Sequence, residues 1–201
     1  MNALSFRTEF GADLKDVDQA EKKDFPAIEQ WIRKLPAGTS VTFDLSDIEF
    51  IGYSYAKQTI RRCLKDMIEG KYGQRAFILR YAGENHLSKL TEVSYALNEN
   101  NLTMLVSTGT EGQYALIGYL TCEGLRESIK EKRKKRKLLN MLEMIISQKE
   151  AFTNDIAKTL GLSLQNCNHL LDELEQVRLI EREKQISPTG GPLYLNRLIA
   201  P

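Results

Sequence analysis

Near its C-terminus the chain contains Asn154-Asp155-Ile156-Ala157-Lys158-Thr159-Leu160-Gly161-Leu162-Ser163. This stretch predicts one short helix, a tight turn and the start of a second helix. Its apolar positions share one helical face, and Gly161 permits the backbone conformation that a tight turn requires. The Ser163 hydroxyl is placed to accept a hydrogen bond from a free backbone N–H, so the second helix is expected to begin there.

The residues on either side of this stretch complete a small domain. Residues 164–177 carry apolar side chains at helical spacing, and residues 138–146 supply an earlier apolar helix for the pair to pack against. Residues 179–182 and 193–195 are strand-like, and the Pro- and Gly-rich residues 188–192 predict the turn of a β-hairpin. This order of elements resembles the winged helix-turn-helix domains of the ArsR- and MarR-like families of bacterial regulators.

The resemblance implies that the helix after Gly161 is a recognition helix, which enters the major groove of DNA. The exposed positions of this helix carry hydroxyl, amide and imidazole groups, and such groups can donate to base edges or phosphates. The residues predicted to contact DNA are Ser163, Gln165, Asn166, Asn168 and His169 from this helix, with Lys184 from the hairpin.

Basic charge is concentrated just before this segment. Residues 138–201 hold six Lys and Arg against eight Asp and Glu, whereas residues 130–137 hold seven basic residues and one acidic residue. We therefore predict that the basic run holds DNA phosphates while the polar helix contacts bases. The predicted phosphate contacts are Arg133, Lys134, Lys135 and Arg136. The alternative interpretation is a solvated helical connector that starts at about Glu123.

The first 122 residues alternate predicted strands and helices, which is typical of an α/β domain. Strands are predicted at residues 4–10, 41–45, 76–81, 102–107 and 114–119. Helices are predicted through residues 28–35, 56–67 and 87–97. The chain length of 201 residues also allows two domains.

One passage of this part is more specific: Val41-Thr42-Phe43-Asp44-Leu45-Ser46-Asp47-Ile48-Glu49-Phe50-Ile51-Gly52-Tyr53-Ser54-Tyr55-Ala56. It resembles the strand, loop and helix start of STAS domains, the fold of anti-sigma factor antagonists. In antagonists the loop has Asp followed by two hydroxyl residues, and the first hydroxyl receives phosphate from a partner kinase. Gly52, Tyr53 and Ser54 occupy those positions here. The resemblance implies a phosphorylation or partner site at Tyr53 and Ser54, whereas the alternative is that Ser54 caps its helix.

These patterns predict an α/β STAS-like domain over residues 1–122, a basic helical connector over residues 123–137, and a small α+β winged helix domain over residues 138–201. No run of about 18 apolar residues is long enough to cross a membrane, and the N-terminus lacks a secretory signal pattern. The scattered cysteines Cys63, Cys122 and Cys167 suit a reducing compartment. We therefore expect a cytoplasmic protein that makes no membrane contact.

Catalysis has little support in the sequence. The only histidines are His86 and His169, and neither lies in a local motif with metal-ligand or triad spacing. The segment Gly109-Thr110-Glu111-Gly112 lacks the lysine of a phosphate-binding loop and predicts a turn. We predict no catalytic residue, no metal and no cofactor, so the protein is not expected to be an enzyme.

Two functional hypotheses follow. The first is a bacterial DNA-binding transcriptional regulator whose STAS-like domain senses a protein partner or a modification. Its winged helix would bind double-stranded DNA as a homodimer, on half-sites about one helical turn apart. The alternative is a non-catalytic protein-interaction adaptor in a signalling pathway, with a histidine-kinase-like ATPase as its partner. The hairpin and the basic run favour the first hypothesis.

Overall fold

The computed structural model of the protein describes residues 2–73, 75–82, 89–108, 113–122, 127–186 and 192–199. The chain divides into two compact units, which span residues 1–123 and residues 124–199. Within the described ranges, every helix is too short or too polar to span a bilayer.

The first unit is built on a mixed sheet. The described strands are β1 (Ala3–Ser5), β2 (Asp13–Leu14), β3 (Ser40–Asp44), β4 (Phe50–Ile51), β5 (Ala76–Arg80), β6 (Thr103–Ser107) and β7 (Tyr114–Gly118). In the main sheet the order is β1-β3-β5-β6-β7. Neighbours from β1 to β6 pair in parallel, and β7 joins β6 in antiparallel register. The protein is therefore a mixed α/β protein with a mostly parallel central sheet, in agreement with the predicted α/β class.

The described helices of this unit connect its parallel strands. They are α1 (Phe6–Phe10), α2 (Val17–Gln19, the π-helical Ala20–Asp24, and Phe25–Lys34), α3 (Tyr53–Ala56, the π-helical Lys57–Arg61, and Arg62–Ile68) and α4 (Thr91–Asn98). Helix α2 ends just before Leu35, which is extended and precedes Pro36, as expected for a residue before proline. The first residues of the helix predicted through 87–97 lie outside the described part of the chain.

The predicted strand over residues 4–10 is wrong beyond Ser5. The Ser5 side chain accepts a hydrogen bond from the Thr8 backbone N–H at 3.3 Å, and α1 begins at Phe6. Phe6 and Phe10 are four residues apart, a spacing that suits both a strand and a helix. The helical turn brings their ring centroids to 5.3 Å, and Phe6 also contacts Phe43 of β3. Aromatic packing in the core therefore overrides the alternating pattern.

A short parallel pair of strands fixes the loop before α3. Strands β2 and β4 pair Asp13 with Phe50 and Leu14 with Ile51. The Gly52 backbone N–H then donates to the Leu14 carbonyl at 2.8 Å. The start of α3 at Tyr53 is therefore anchored by backbone hydrogen bonds to a distant segment of the chain.

The second unit contains three helices and a small antiparallel sheet among its described residues. The elements are α5 (Ile129–Gln148), β8 (Glu150–Phe152), α6 (Thr153–Thr159), α7 (Leu164–Gln176), β9 (Ile180–Ile186) and β10 (Pro192–Leu198). The sheet order is β8-β10-β9, and both pairings are antiparallel. Strand β8 was not predicted, because three residues are too few for a periodic signal. Most of the predicted hairpin turn, residues 187–191, lies outside the described residues.

The basic run and the first apolar helix of this unit form one continuous helix, α5. A capping box begins it: the Ser128 Oγ accepts from the Glu131 backbone N–H at 3.2 Å, and the Glu131 carboxylate accepts from the Ser128 backbone N–H at 2.8 Å. The helix therefore starts at Ile129 rather than at about Glu123. Its second half buries Leu138, Met141, Leu142 and Ile145.

The turn between α6 and α7 has the geometry that its sequence predicts. Gly161 adopts a φ of 62°, and the Ser163 Oγ accepts from the Asn166 backbone N–H at 3.3 Å. Helix α7 buries one apolar face, made by Cys167, Leu170, Leu171 and Leu174. The opposite side of α7 is left to carry polar groups.

Candidate functional site

The second unit contains an open groove of about 980 Å³ between the first half of α5 and helix α7. Four basic side chains of α5 line it among the described residues: Lys130, Arg133, Lys134 and Lys137. Their spacing places them on one helical face, because positions i, i+3, i+4 and i+7 of a helix are neighbours. We call these four residues the basic stripe.

The remaining basic residues of the run have other environments. Lys132 and Arg136 are exposed but do not belong to the groove lining. With about 100° of rotation per residue, they lie on the side of α5 that is roughly opposite the basic stripe. Of the four predicted phosphate contacts, Arg133 and Lys134 therefore line the groove, whereas Arg136 is exposed on another face.

Lys135 is a correction to the sequence prediction. It is buried, and its ammonium group forms an ion pair with the Glu127 carboxylate. The side chains of Lys135 and Glu127 are 6% and 15% exposed. The helical period turns this lysine toward the apolar side of α5 that also carries Leu138 and Leu142. Lys135 therefore stabilises the unit and is not available to a ligand in this conformation.

The second wall of the groove comes from α7. Asn166, His169, Leu170 and Glu173 line it, and Gln165 is exposed next to them. The Ser163 hydroxyl, which was predicted to contact DNA, is occupied as the N-cap of α7. Amide and imidazole groups of α7 thus lie beside the basic stripe of α5.

Glu173 joins the two walls. Its Oε2 lies 2.7 Å from the Lys134 Nζ, and its Oε1 lies 3.3 Å from the His169 Nε2. The pairs remain accessible to solvent, because the Lys134 and His169 side chains are 47% and 73% exposed. Each carboxylate oxygen of Glu173 therefore contacts a side-chain nitrogen, one from each wall of the groove.

Asn168 belongs to a different contact network and is a second correction. Its Oδ1 accepts a hydrogen bond from the Arg182 Nη2 at 2.6 Å, and its Nδ2 donates to the Leu164 carbonyl at 3.1 Å. The Arg182 guanidinium also pairs with Asp172, one helical turn further along α7. Asn168 therefore faces the hairpin and fastens α7 to β9, so we remove it from the candidate contacts.

Arg182 is a structural residue that the sequence did not identify. Its side chain is only 6% exposed, its Nε donates to the Asn196 Oδ1 at 3.1 Å, and its guanidinium carbon lies 4.8 Å from the centre of the Tyr194 ring. Asn196 is fully buried and donates to the Ala151 carbonyl at 2.9 Å. An arginine in a strand with alternating charges gives no local signal of such a role.

The acidic residues of α7 all have partners within the unit. Asp172 pairs with Arg182, Glu173 pairs with Lys134, and the Glu175 carboxylate accepts from the Arg182 backbone N–H at 3.2 Å. Cationic side chains of the unit therefore pair with two of these three carboxylates, those of Asp172 and Glu173. Lys184 of β9 is exposed on the hairpin and lies opposite Tyr194 in the strand register.

In the first unit, the predicted partner site lies at the start of α3. Gly52 is the N-cap residue of α3 and makes no side-chain cap, whereas Ser54 is exposed one position inside the helix. The alternative prediction that Ser54 caps its helix is therefore wrong. Helices often begin with a residue that has a capping side chain, but here the backbone bond from Gly52 to Leu14 fixes the start instead.

Tyr53 is held by a cluster of charges. Its hydroxyl donates to the Glu99 carboxylate, which also pairs with Arg61 at 2.6 Å and Lys57 at 3.3 Å. The hydrogen bond to Glu99 raises the pKa of Tyr53 above its ordinary value. The same bond lowers the pKa of Glu99 and, together with the Lys57 hydrogen bond and the charges of Lys57 and Arg61, outweighs the opposite effect of burial. The Tyr53 hydroxyl is therefore protonated and engaged, while the Ser54 hydroxyl faces solvent.

The described residues contain no group of three or more His, Cys, Asp or Glu that could hold a metal ion. Burial raises the pKa of the Cys63 and Cys167 thiols, which disfavours their reactive thiolate forms. His86 and the predicted turn at residues 109–112 lie outside the described part of the chain.

Comparison with models of known protein families gives no match, and comparison with curated protein sequences gives none either.

Proposed function

We propose that this protein is a DNA-binding transcriptional regulator. In this proposal the second unit is a winged helix-turn-helix domain that docks α7 on double-stranded DNA. The first unit is a STAS-like domain that senses a protein partner or a modification near Tyr53 and Ser54. A homodimer would place two copies of α7 on half-sites about one helical turn apart.

The order of elements in the second unit supports the winged-helix part of the proposal. Helix α5, strand β8, helices α6 and α7, and the β9–β10 hairpin follow one another in the chain. Helices α6 and α7 are separated by the tight turn at Gly161. This is the order expected when a recognition helix is followed by a hairpin wing.

The observation that carries the proposal is the basic stripe beside the polar side of α7. Four cations on one face of α5 share a groove with Asn166 and His169. Cations hold phosphates without regard to sequence, whereas amides can form paired hydrogen bonds with adenine. The groove therefore combines the two kinds of contact that a DNA-binding surface needs.

The length of the basic stripe gives an expected number of phosphate contacts. Lys130 and Lys137 are seven residues apart, or roughly 10 Å along a helix that rises about 1.5 Å per residue. Phosphates of one DNA strand are spaced about 3.4 Å along the duplex axis. The stripe is therefore long enough to follow about three phosphates of one strand.

The sequence of the run provides a matched test of this surface. One variant changes Arg133 and Lys137 to Gln, and its control changes Lys132 and Arg136 to Gln. Both remove two positive charges from the same helix, but only the first removes them from the groove. Binding of a random-sequence duplex is measured by fluorescence anisotropy between about 50 and about 200 mM salt.

We expect the groove variant to bind all duplexes more weakly and to reduce the slope of log K against log salt by nearly 2, at about 0.9 per lost phosphate contact. The control should keep the slope of the unaltered protein. Equal slopes for the two variants would show that the groove does not contact DNA phosphates. Failure of the unaltered protein to bind any duplex would contradict the proposed function.

The adaptor hypothesis is the competing outcome of this experiment. In an adaptor, Asp172, Glu173 and Glu175 of α7 would contact a basic surface of the protein partner, and within the unit these residues already have partners. Loss of capture of a protein partner by the groove variant, with no duplex binding by the unaltered protein, would favour the adaptor instead.

A further inference from the structure

The lining of the groove includes an anion that contacts both of its walls. The carboxylate of Glu173 lies between Lys134 of α5 and His169 of α7, with one oxygen toward each. A carboxylate oxygen and a phosphate oxygen are both anionic acceptors and use the same donors. The position of Glu173 therefore marks a place where an oxygen of a bound phosphate would be held.

The contacts of Glu173 are of the kind that can be exchanged. Its partners are about half exposed at Lys134 and mostly exposed at His169. Ion pairs at such positions contribute little to stability and are screened by water and salt. A ligand that brings its own anionic oxygens can therefore replace Glu173 without disrupting the fold.

Other acidic groups nearby differ from Glu173 in this respect. Asp172 pairs with the nearly buried guanidinium of Arg182, and Glu131, which also lines the groove, is held by the Ser128 backbone N–H and hydroxyl in the capping box. Both carboxylates serve the fold where they lie. Glu173 instead bridges the two walls of the open groove.

We propose that Lys134 and His169 form a phosphate subsite, which Glu173 occupies in the free protein and a nucleic-acid phosphate occupies in the complex. The identity of the ligand rests on the proposed function. In this arrangement Glu173 is a specificity-determining residue, because it weakens binding through phosphates alone. Stable binding then depends on the additional contacts that α7 makes with bases.

The test compares Glu173→Gln with Glu143→Gln. Glu143 is an exposed residue of α5, so its substitution removes the same charge from the same unit outside the groove lining. Two probes are used with the full chain: a random-sequence duplex, followed by anisotropy, and inorganic tripolyphosphate, followed by calorimetry. Glutamine keeps the size of the side chain and removes only its charge.

We expect Glu173→Gln to bind the random duplex up to about fivefold more tightly, the factor expected when an exposed charge interaction is removed. The slope of log K against log salt should become steeper by up to about one unit, as for one additional phosphate contact. Glu143→Gln should stay close to the unaltered protein. In a Lys134→Gln background, the gain from Glu173→Gln should largely disappear, because the cation of the subsite is gone.

The two probes separate this inference from the proposed function. Tighter tripolyphosphate binding by Glu173→Gln, without duplex binding by any form, would support the subsite and contradict the regulator. Duplex binding that is equal in Glu173→Gln and Glu143→Gln would overturn the subsite and leave the regulator intact. If Glu173 has only a structural role, Glu173→Gln will lower the stability of the unit and leave the binding of both probes unchanged. That result would also overturn the subsite.

Discussion

Lys134 and Lys135 are adjacent in sequence but have opposite environments. Lys134 is half exposed in the groove, whereas Lys135 is buried against Glu127. A rotation of about 100° per residue separates the two side chains around α5. The same residue type is therefore accessible to solvent at one position and buried in an ion pair at the next.

Replacing Lys135 by Gln should leave the Glu127 carboxylate without its buried partner. We expect the free energy of unfolding of the second unit to fall by about 3 kcal/mol, as for other broken buried pairs. The matched substitution Lys134→Gln should cost less than about 1 kcal/mol, because its ion pair is exposed. Urea denaturation followed by circular dichroism measures both changes, and equal losses would contradict the assignment.

A second residue-scale prediction concerns Asp44, whose side chain is 13% exposed and pairs with Arg80. Burial raises its pKa, but hydrogen bonds from Arg80 and Ser46 outweigh that effect, so the pKa lies below its ordinary value. A lowered pKa in the folded state stabilises the fold at pH values above about 3.9, the unfolded value. That contribution is lost as pH falls through the folded pKa.

Asp44→Asn should therefore flatten the acid side of the stability curve. The variant should lose stability relative to the unaltered protein at neutral pH, and the difference should shrink below about pH 4. Urea midpoints across an acid pH series measure this. A difference that is independent of pH would show that Asp44 acts through packing and not through its charge.

At the scale of elements, helix α7 is held on both flanks by ionic contacts. On the hairpin side Arg182 contacts Asn168 and Asp172, and on the groove side Lys134 contacts Glu173. The apolar face of α7 fixes its distance from the core, since Leu171 is fully buried. The contacts of the nearly buried Arg182 orient the helix on the hairpin side, whereas the contact with Lys134 is more exposed.

Arg182→Lys tests how the hairpin orients α7. Lysine keeps the charge but lacks the planar fork that reaches Asp172, Asn168 and Asn196 together. We expect a loss of about 2 to 3 kcal/mol in the stability of the unit. Sequence preference in a fragment selection should weaken, while the salt dependence of duplex binding stays the same.

The control for Arg182 is Arg197→Lys on the neighbouring strand. Arg197 is more exposed and pairs with Glu150 and Glu183 on the sheet surface. Its substitution should cost less than about 1 kcal/mol and leave sequence preference unchanged. Equal effects of the two substitutions would mean that α7 is oriented by its apolar face alone.

At the scale of the whole molecule, each unit has its own apolar core. Phe43 lies in the core of the first unit, and Leu171 lies in that of the second. Both side chains are fully buried. The long helix α5 contributes its apolar half to the second core and its basic half to the groove.

We expect two transitions when the protein unfolds, because two cores rarely unfold as one cooperative body. Phe43→Ala and Leu171→Ala should each lower the free energy of unfolding of one unit by about 3 to 4 kcal/mol, the cost of removing a large side chain from a packed core. Each substitution should shift only the transition of its own unit. Differential scanning calorimetry measures this. A single transition that both substitutions lower equally would contradict the independence of the cores.

Much of the local structure was predictable because its causes are local. Helix α7 follows from a capping serine, a glycine in the left-handed region before it, and apolar residues at helical spacing. The parallel strands of the first unit follow from short apolar runs separated by helical patterns. The strand prediction was wrong at Phe6 because a spacing of four residues fits the period of a strand and that of a helix. Only the packing of Phe6 against Phe43 distinguishes the two.

The sequence by itself determined the mixed α/β class, the longer helices and strands, and the concentration of basic charge before Leu138. Periodicity states which face of a helix is buried, but it does not state which residue of another element that face meets. Tertiary structure alone decided that Lys135 pairs with Glu127, that Asn168 serves Arg182, and that Glu173 lies among the cations. Such pairings depend on distances between elements, because the attraction between charged groups weakens as their separation grows.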